Sequence, residues 1–298
     1  GQTQRRHLVT TRIEHPCVIA PMELLACEGY ELSFVDVDKG GRVNLEQLAK
    51  LITSDTLLVS IMAANNEIGV LQDLDAIGAL THAAGAFFHT DAAQAVAKVP
   101  IDVNRAHIDL LGLTGHKLYG PMGAGALYIR SRADLAVEPL LIGGGQEMGL
   151  RSGTVAAPLA AGLGAACRIG TQELHEEAQR LTHLRDTLLQ TLCASISDLK
   201  VNGDASLRLP GNLNIRKDGV RAVDVINQLE GVALSSASAC AAGGDMPSHV
   251  LDGIGLSPAE AECCLRIGLG RFTTQAEVTN AAARICAAYA GCLETTTA

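Results

Sequence analysis

Three residues of this chain are of the types that do chemistry and stand in telling surroundings: Asp91, Lys117 and Cys240. Asp91 closes the apolar run FFHTDAAQ, Lys117 follows IDLLGL within TGHKLYGP, and Cys240 lies in SSASACAAGGD. A carboxylate at the C-terminal edge of a parallel sheet sits where open α/β folds bind their ligands. Taken alone, Asp91 is equally an N-cap for a helix over AAQAVAK. A lysine directly after a buried strand, flanked by His116 and Tyr119, can act as a Schiff-base nucleophile. Taken alone, Lys117 is more often a surface lysine in a turn. Around Cys240 no apolar side chain is present to bury the thiol, so the segment reads as a mobile loop presenting a nucleophile.

The order strand–Asp, then strand–Lys, narrows these readings. Pyridoxal phosphate needs a lysine for covalent attachment and an acid against its pyridine nitrogen, which keeps the ring an electron sink. Other readings of the glycine-rich lysine segment fail on order. A P-loop places its lysine after the glycines, whereas Lys117 precedes Gly120, Gly123 and Gly125. A dinucleotide fingerprint is followed by a helix, whereas AGALYIRS reads as a strand.

The elements that must position these residues alternate along the first half. HLVTT (7–11), ELSFVDVD (31–38), TLLVSIMAAN (56–65), AFFHTDA (86–92), IDLLGLT (108–114) and AGALYIRS (124–131) read as strands. Between them lie helical stretches near 16–28, at Leu45–Leu48–Leu51–Ile52 and at Leu74–Ile77–Leu80. This alternation predicts a mostly parallel sheet covered by helices. After the glycine-rich 140–154 a long helix is expected over 156–195, with Leu181, Leu184, Leu188 and Leu192 on one side. Strands at 212–216, 232–237 and 264–270, a helix near 222–230 and a final helix opened by a Thr274–Glu277 capping box follow. The expected fold class is α/β, with a large domain over 1–173 and a smaller α+β domain over 174–298 carrying the cysteine loop.

Composition excludes several classes. With 298 residues, 48% apolar and 18% charged, the chain can fill a sizeable core. A net charge of −9 argues against nucleic-acid binding, which needs Lys/Arg clusters to displace counterions. No run approaches the roughly 20 apolar residues of a membrane span, and GQTQRRHLVTTRIEH lacks a signal-peptide core. A cytoplasmic protein is the expectation. Among the nine cysteines, Cys17, Cys27, Cys167, Cys193, Cys286 and Cys292 sit among Ala, Leu and Ile and read as small buried hydrophobes. Cys263–Cys264 has no companion at zinc-ligand spacing, so no metal site is expected. The cluster Glu173, Glu176 and Glu177 reads as a solvated helix face.

TGHKLYGPMGAGALYIR resembles the lysine segment of the cysteine desulfurases, which share the pyridoxal-phosphate fold type I of the class V aminotransferases. NNEIGVLQDL (65–74), HTDAAQAVAKVPIDV (89–103), GGGQEMGLRSGT (143–154), SSASAC (235–240) and RIGLGRFTT (266–274) resemble that family in the same order and spacing. The loop resembles the family's long-loop branch, with Ala237 where the family often has glycine. The resemblance implies that Lys117 holds pyridoxal 5′-phosphate and moves the Cα proton, and that His15 stacks on its ring. It implies that Asp91 pairs with the pyridine nitrogen, that Asn66 and Gln94 reach the substrate or ring hydroxyl, and that Thr114 and His116 bind the phosphate. Thr154 is implied to reach the phosphate of a partner subunit, making a homodimer, and Arg266 to clamp the carboxylate of L-cysteine. Cys240 is implied to take the sulfur as a persulfide, leaving L-alanine, for an acceptor such as an iron–sulfur cluster scaffold or a tRNA-thiolation pathway.

Two alternatives stand beside this reading. A selenocysteine lyase shares the same lysine and loop cysteine, and an inactive remnant would serve only as a binding or scaffold protein. The family's chains begin earlier, with a Gly-Ala-Thr-Glu-Ser turn opening a helix beneath the phosphate, so an N-terminally truncated sequence is expected.

Overall fold

The apolar runs of the first half become the strands of one sheet. The computed structural model describes residues 5–236 and 248–296. In it β1 (His7–Thr11), β2 (Glu31–Val35), β3 (Thr56–Ser60), β4 (Phe87–Asp91), β5 (Leu110–Thr114) and β6 (Gly125–Ile129) form a six-stranded sheet of order β2-β1-β3-β4-β5-β6. The first five strands run parallel, as the alternation with helices requires. β6 departs from this and returns antiparallel to β5. Its connection, residues 115–124, is too short for the dozen or more residues of a parallel crossover.

Helices α1 (Pro16–Cys27), α2 (Leu45–Leu51) and α3 (Leu74–Ala83) link these strands. Each starts on a side chain that accepts one of the helix's free N–H groups: His15, Asn44 and Asp73. Val9, Val35, Val59, Phe88 and Ile108 form the sheet's core, each fully buried.

α4 (Ala157–Ser195) is continuous across the 173/174 division. Its Ala166 and Gly170 are buried near the first sheet, while Leu181, Leu184, Leu188 and Leu192 belong to a second core. That core is completed by an antiparallel sheet of order β7-β8-β10-β9, formed by β7 (Lys200–Val201), β8 (Asn212–Arg216), β9 (Ser235–Ser236) and β10 (Cys264–Gly268). α5 (Ala222–Asn227) and α8 (Gln275–Thr296) cover it, with Ile285 and Tyr289 buried. α6 (His249–Gly253) and α7 (Pro258–Glu262) bring Val250, Leu251 and Ile254 against Ile13, Ile68 and Val70 of the first half. Of the run 232–237, only Ser235 and Ser236 meet β10 among the described residues, so residues 232–234 do not extend β9 as expected.

Two expectations need correction. Of the six cysteines read as buried, Cys17, Cys27 and Cys193 are exposed, Cys167 and Cys286 are half-buried, and only Cys292 is buried. Cys193 follows the buried Leu192 by one residue, which turns it away from the face α4 buries. Glu177 of the acidic cluster is turned inward and paired with Arg271 at 2.6 Å. Among the described residues no helix is long and apolar enough to cross a membrane, and no group of His, Cys, Asp or Glu could hold a metal.

Candidate active site

The predicted site residues leave the same edge of the large sheet. His15 follows β1, Asn66 follows β3, Asp91 ends β4 with Gln94 just beyond it, and Thr114, His116 and Lys117 come at and after the end of β5. These are C-terminal ends of parallel strands, where strand-to-helix connections open a crevice. Arg266 reaches the same region from β10 of the other sheet.

A cavity of about 440 Å³ lies between the two sheets. It brings together Lys117, Asn66, Gln94 and Arg266 with Ser235, Lys98 and Glu177. Lys117 sits in a 3-10 turn, Gly115–Lys117, whose buried Leu118 anchors the lysine at the cavity wall. The turn folds back so tightly that a Cβ on Gly115 would lie 2.8 Å from the Pro121 carbonyl oxygen. Arg266 donates from Nε to Ser235 Oγ at 3.1 Å and from Nη1 to the Asn66 carbonyl at 3.2 Å. These contacts aim a guanidinium beside Asn66, a fork suited to a carboxylate.

Asp91 uses its two carboxylate oxygens differently. Its Oδ1 accepts from the Ala93 N–H at 2.9 Å, closing a turn, although 92–98 forms no regular helix. Its Oδ2 faces the Cys17 thiol at 3.9 Å, a weak donor. Desolvation of the sulfur first, although the residue as a whole is exposed, and Asp91 second push the Cys17 thiol up from its ordinary pKa. His15 caps α1 next to it, with Nδ1 accepting from the Cys17 N–H at 3.2 Å. On the same strand face as Asp91, His89 is pushed down chiefly by burial and bonds Ser60 Oγ at 2.7 Å. Thr114 Oγ1 and His116 Nδ1 pair at 2.9 Å beside Lys117.

Thr154 stands apart, exposed in the connection that precedes α4 and away from the cavity of this chain. Cys240 lies outside the described residues. The stretch that contains it leaves β9 after Ser236 and rejoins at Ser248, whose Oγ donates to Glu67 Oε2 at 2.7 Å.

Sequence reasoning missed four charged residues here. Lys98 donates to Gln94 Oε1 at 3.0 Å and is pushed down to about 8, first by burial and then by the charge of Lys117, with Glu177 opposing. Glu177 is held by Arg271, whose guanidinium also stacks 5.0 Å from the Tyr119 ring centre. Glu67 is pushed up to about 7 by burial, against the pull of Ser248 and Arg266. The signal for Lys98 was its spacing, four residues after Gln94 in an otherwise apolar stretch.

The donor set fits pyridoxal phosphate on its own chemistry. It offers a lysine at a cavity wall, a carboxylate with one oxygen met only by a thiol among the described residues, and a hydroxyl–imidazole pair beside the lysine.

The chain is similar in sequence and in fold to proteins of one family. The family described as Aminotransferase class-V matches residues 2–280. The probable mitochondrial cysteine desulfurase of Dictyostelium discoideum is 46% identical over 92% of this chain and 61% of its own length. The cysteine desulfurase IscS of Rickettsia bellii is 42% identical over 95% of this chain and 69% of its own. A solved NifS-like protein superposes with a TM-score of 0.88 at 33% identity, covering 97% of this chain and 76% of that one. The chain thus spans about three-fifths of the length of the first of these relatives.

Proposed function

The chain belongs to the class V aminotransferases and, within them, to the cysteine desulfurases, and from that membership we propose that it uses pyridoxal 5′-phosphate to remove sulfur from L-cysteine. The observation that carries the reading is the single cavity lined by Lys117, Asn66, Gln94 and Arg266, fed from both sheets. When bound, the cofactor supplies an electron sink for the pair left at the substrate's Cα.

The chain's residues do the rest. Arg266 binds the substrate carboxylate, and Asn66, whose carbonyl already holds Arg266, lies beside it. Lys117 anchors the cofactor and moves the Cα proton. Asp91 keeps a negative charge opposite the pyridine nitrogen, His15 covers the ring, and Thr114 with His116 meets the phosphate. The Cys240 thiolate attacks the substrate's sulfur and the Cβ–S bond breaks, leaving its electron pair on carbon. A proton completes the methyl group of L-alanine, and Cys240 retains the sulfur as a persulfide for an acceptor protein.

A homodimer belongs to the same proposal. Leu140, Ile142 and Met148 are each at least 88% exposed in the connection that leads to Thr154, an apolar surface suited to a second copy. A cluster scaffold is the proposed class of acceptor.

The reaction is tested by incubating the chain with L-cysteine and measuring alanine and sulfide. Cys240→Ser is expected to lose alanine formation and sulfide release by at least about a hundredfold while keeping cofactor uptake, as removal of a nucleophile does. Undiminished turnover in that variant would remove Cys240 from the reaction.

A further inference from the structure

Lys98 shares the cavity with Lys117 and Gln94. Its Nζ donates to Gln94 Oε1 at 3.0 Å. A primary amide accepts only through its oxygen and donates only through its nitrogen, so a donor on the oxygen settles which way the group faces. With Oε1 turned to Lys98, the two N–H donors of Gln94 Nε2 remain for the cavity.

The backbone shows why this lysine points inward instead of into solvent. Ala97 adopts φ 61°, a left-handed conformation that costs a residue with a side chain about 1 kcal/mol or more. α4 lies directly on it: a Cβ on Gly170 would come within 2.3 Å of Ala97 Cβ. The turn is pressed between sheet and helix, and the residue after the kink enters the cavity. There Lys98 faces Lys117 and Glu177, and Glu177 is already engaged by Arg271. Gln94 Oε1 is therefore the acceptor that holds the Lys98 amine in place.

We propose that Lys98 is a positioning residue for the cofactor, fixing the Gln94 amide so that its N–H donors face the phenolic oxygen of the bound ring. The proposal rests on the cofactor reading above. Lys98 acts only through Gln94, so its effect must vanish when the Gln94 amide is gone.

The test is a double-mutant cycle read by cofactor affinity, titrating pyridoxal 5′-phosphate into the chain. Lys98→Met and Gln94→Ala are each expected to weaken binding about tenfold, the worth of one hydrogen bond to a charged group. The double variant should bind no more weakly than Gln94→Ala alone, and Lys98→Arg should keep most of the affinity. A double variant weaker by the product of the two single effects would overturn the proposal. A cofactor-free readout separates this from the wider reading: the side-chain amide ¹⁵N–H signals of Gln94, identified by their loss in Gln94→Ala. In Lys98→Met they should move to the position of a solvent-exposed glutamine; unmoved signals would equally overturn the proposal. Should the parent chain take up no cofactor, the cofactor reading fails, while these signals still decide whether Lys98 sets the amide.

Discussion

Glu14 departs far from the chemistry of its free side chain. It is fully buried, with Oε1 accepting from the Met62 N–H at 2.8 Å and from Thr11 Oγ1 at 3.0 Å. Its Oε2 meets no partner among the described residues. Burial pushes its pKa up to about 8, with the Asp91 charge adding to the rise and the two hydrogen bonds opposing it. The folded-state value exceeds the ordinary 4.5, so the stability it supports is complete below pH 4.5 and is lost as pH rises through about 8. Melting followed from pH 5 to 8.5 should therefore show a falling midpoint in the parent chain and a shallower fall in Glu14→Gln. Glu67, pushed up to about 7, acts in the same direction and keeps the remaining slope from vanishing. Parallel curves for parent and variant would mean that Glu14 ionises as it does in water. Asp91 and Lys117 stood out in the sequence because each is a charged residue at the end of, or just after, an apolar strand, whereas Arg266 was reached only through the family resemblance. Glu14, Glu67 and Lys98 were not, because their meaning is burial by segments distant in the chain.

At the scale of elements, the site depends on how α4 presses the turn after β4. Gly170 gives the helix its close approach, and Ala97 gives the turn its left-handed kink. Gly170→Ala should cost about 1–3 kcal/mol in denaturant unfolding, the usual penalty of overpacking. Ala97→Gly in that background should recover most of it, since it removes the clashing methyl and suits the positive φ. No recovery would show that the helix does not rest on this residue. The strands and the long helix were legible from their patterns, as Leu181, Leu184, Leu188 and Leu192 mark one face of α4. The direction of β6 was not, because a strand's residues do not encode which neighbour direction it takes; the length of its connection does. Nor was the contact between Gly170 and Ala97, which joins residues far apart in sequence.

At the scale of the whole molecule, the cavity exists because two sheets are held at a fixed distance. Arg208 spans them, donating from Nη2 to the Ile68 carbonyl at 2.8 Å and the Asn202 carbonyl at 2.7 Å. Arg180 gathers the carbonyls of Arg271 and Thr273 at 2.7 and 2.6 Å, fixing the end of the RIGLGRFTT segment that begins with Arg266. The proposed homodimer belongs to this scale, since the role proposed for Thr154 lies across a subunit interface. Light scattering at micromolar concentration should give twice the 31.0 kDa chain mass, and charged substitutions at Leu140 and Ile142 should return it to a monomer. A monomer that binds cofactor as tightly as the family reading requires would refute the role of Thr154. Whether Lys117 holds pyridoxal 5′-phosphate in this cavity, as proposed, is decided by a visible absorption spectrum of the chain with added cofactor. A yellow band is expected that shifts when L-cysteine is added and is absent in Lys117→Ala. A chain that stays colourless, or a band that persists unchanged in Lys117→Ala, would contradict it.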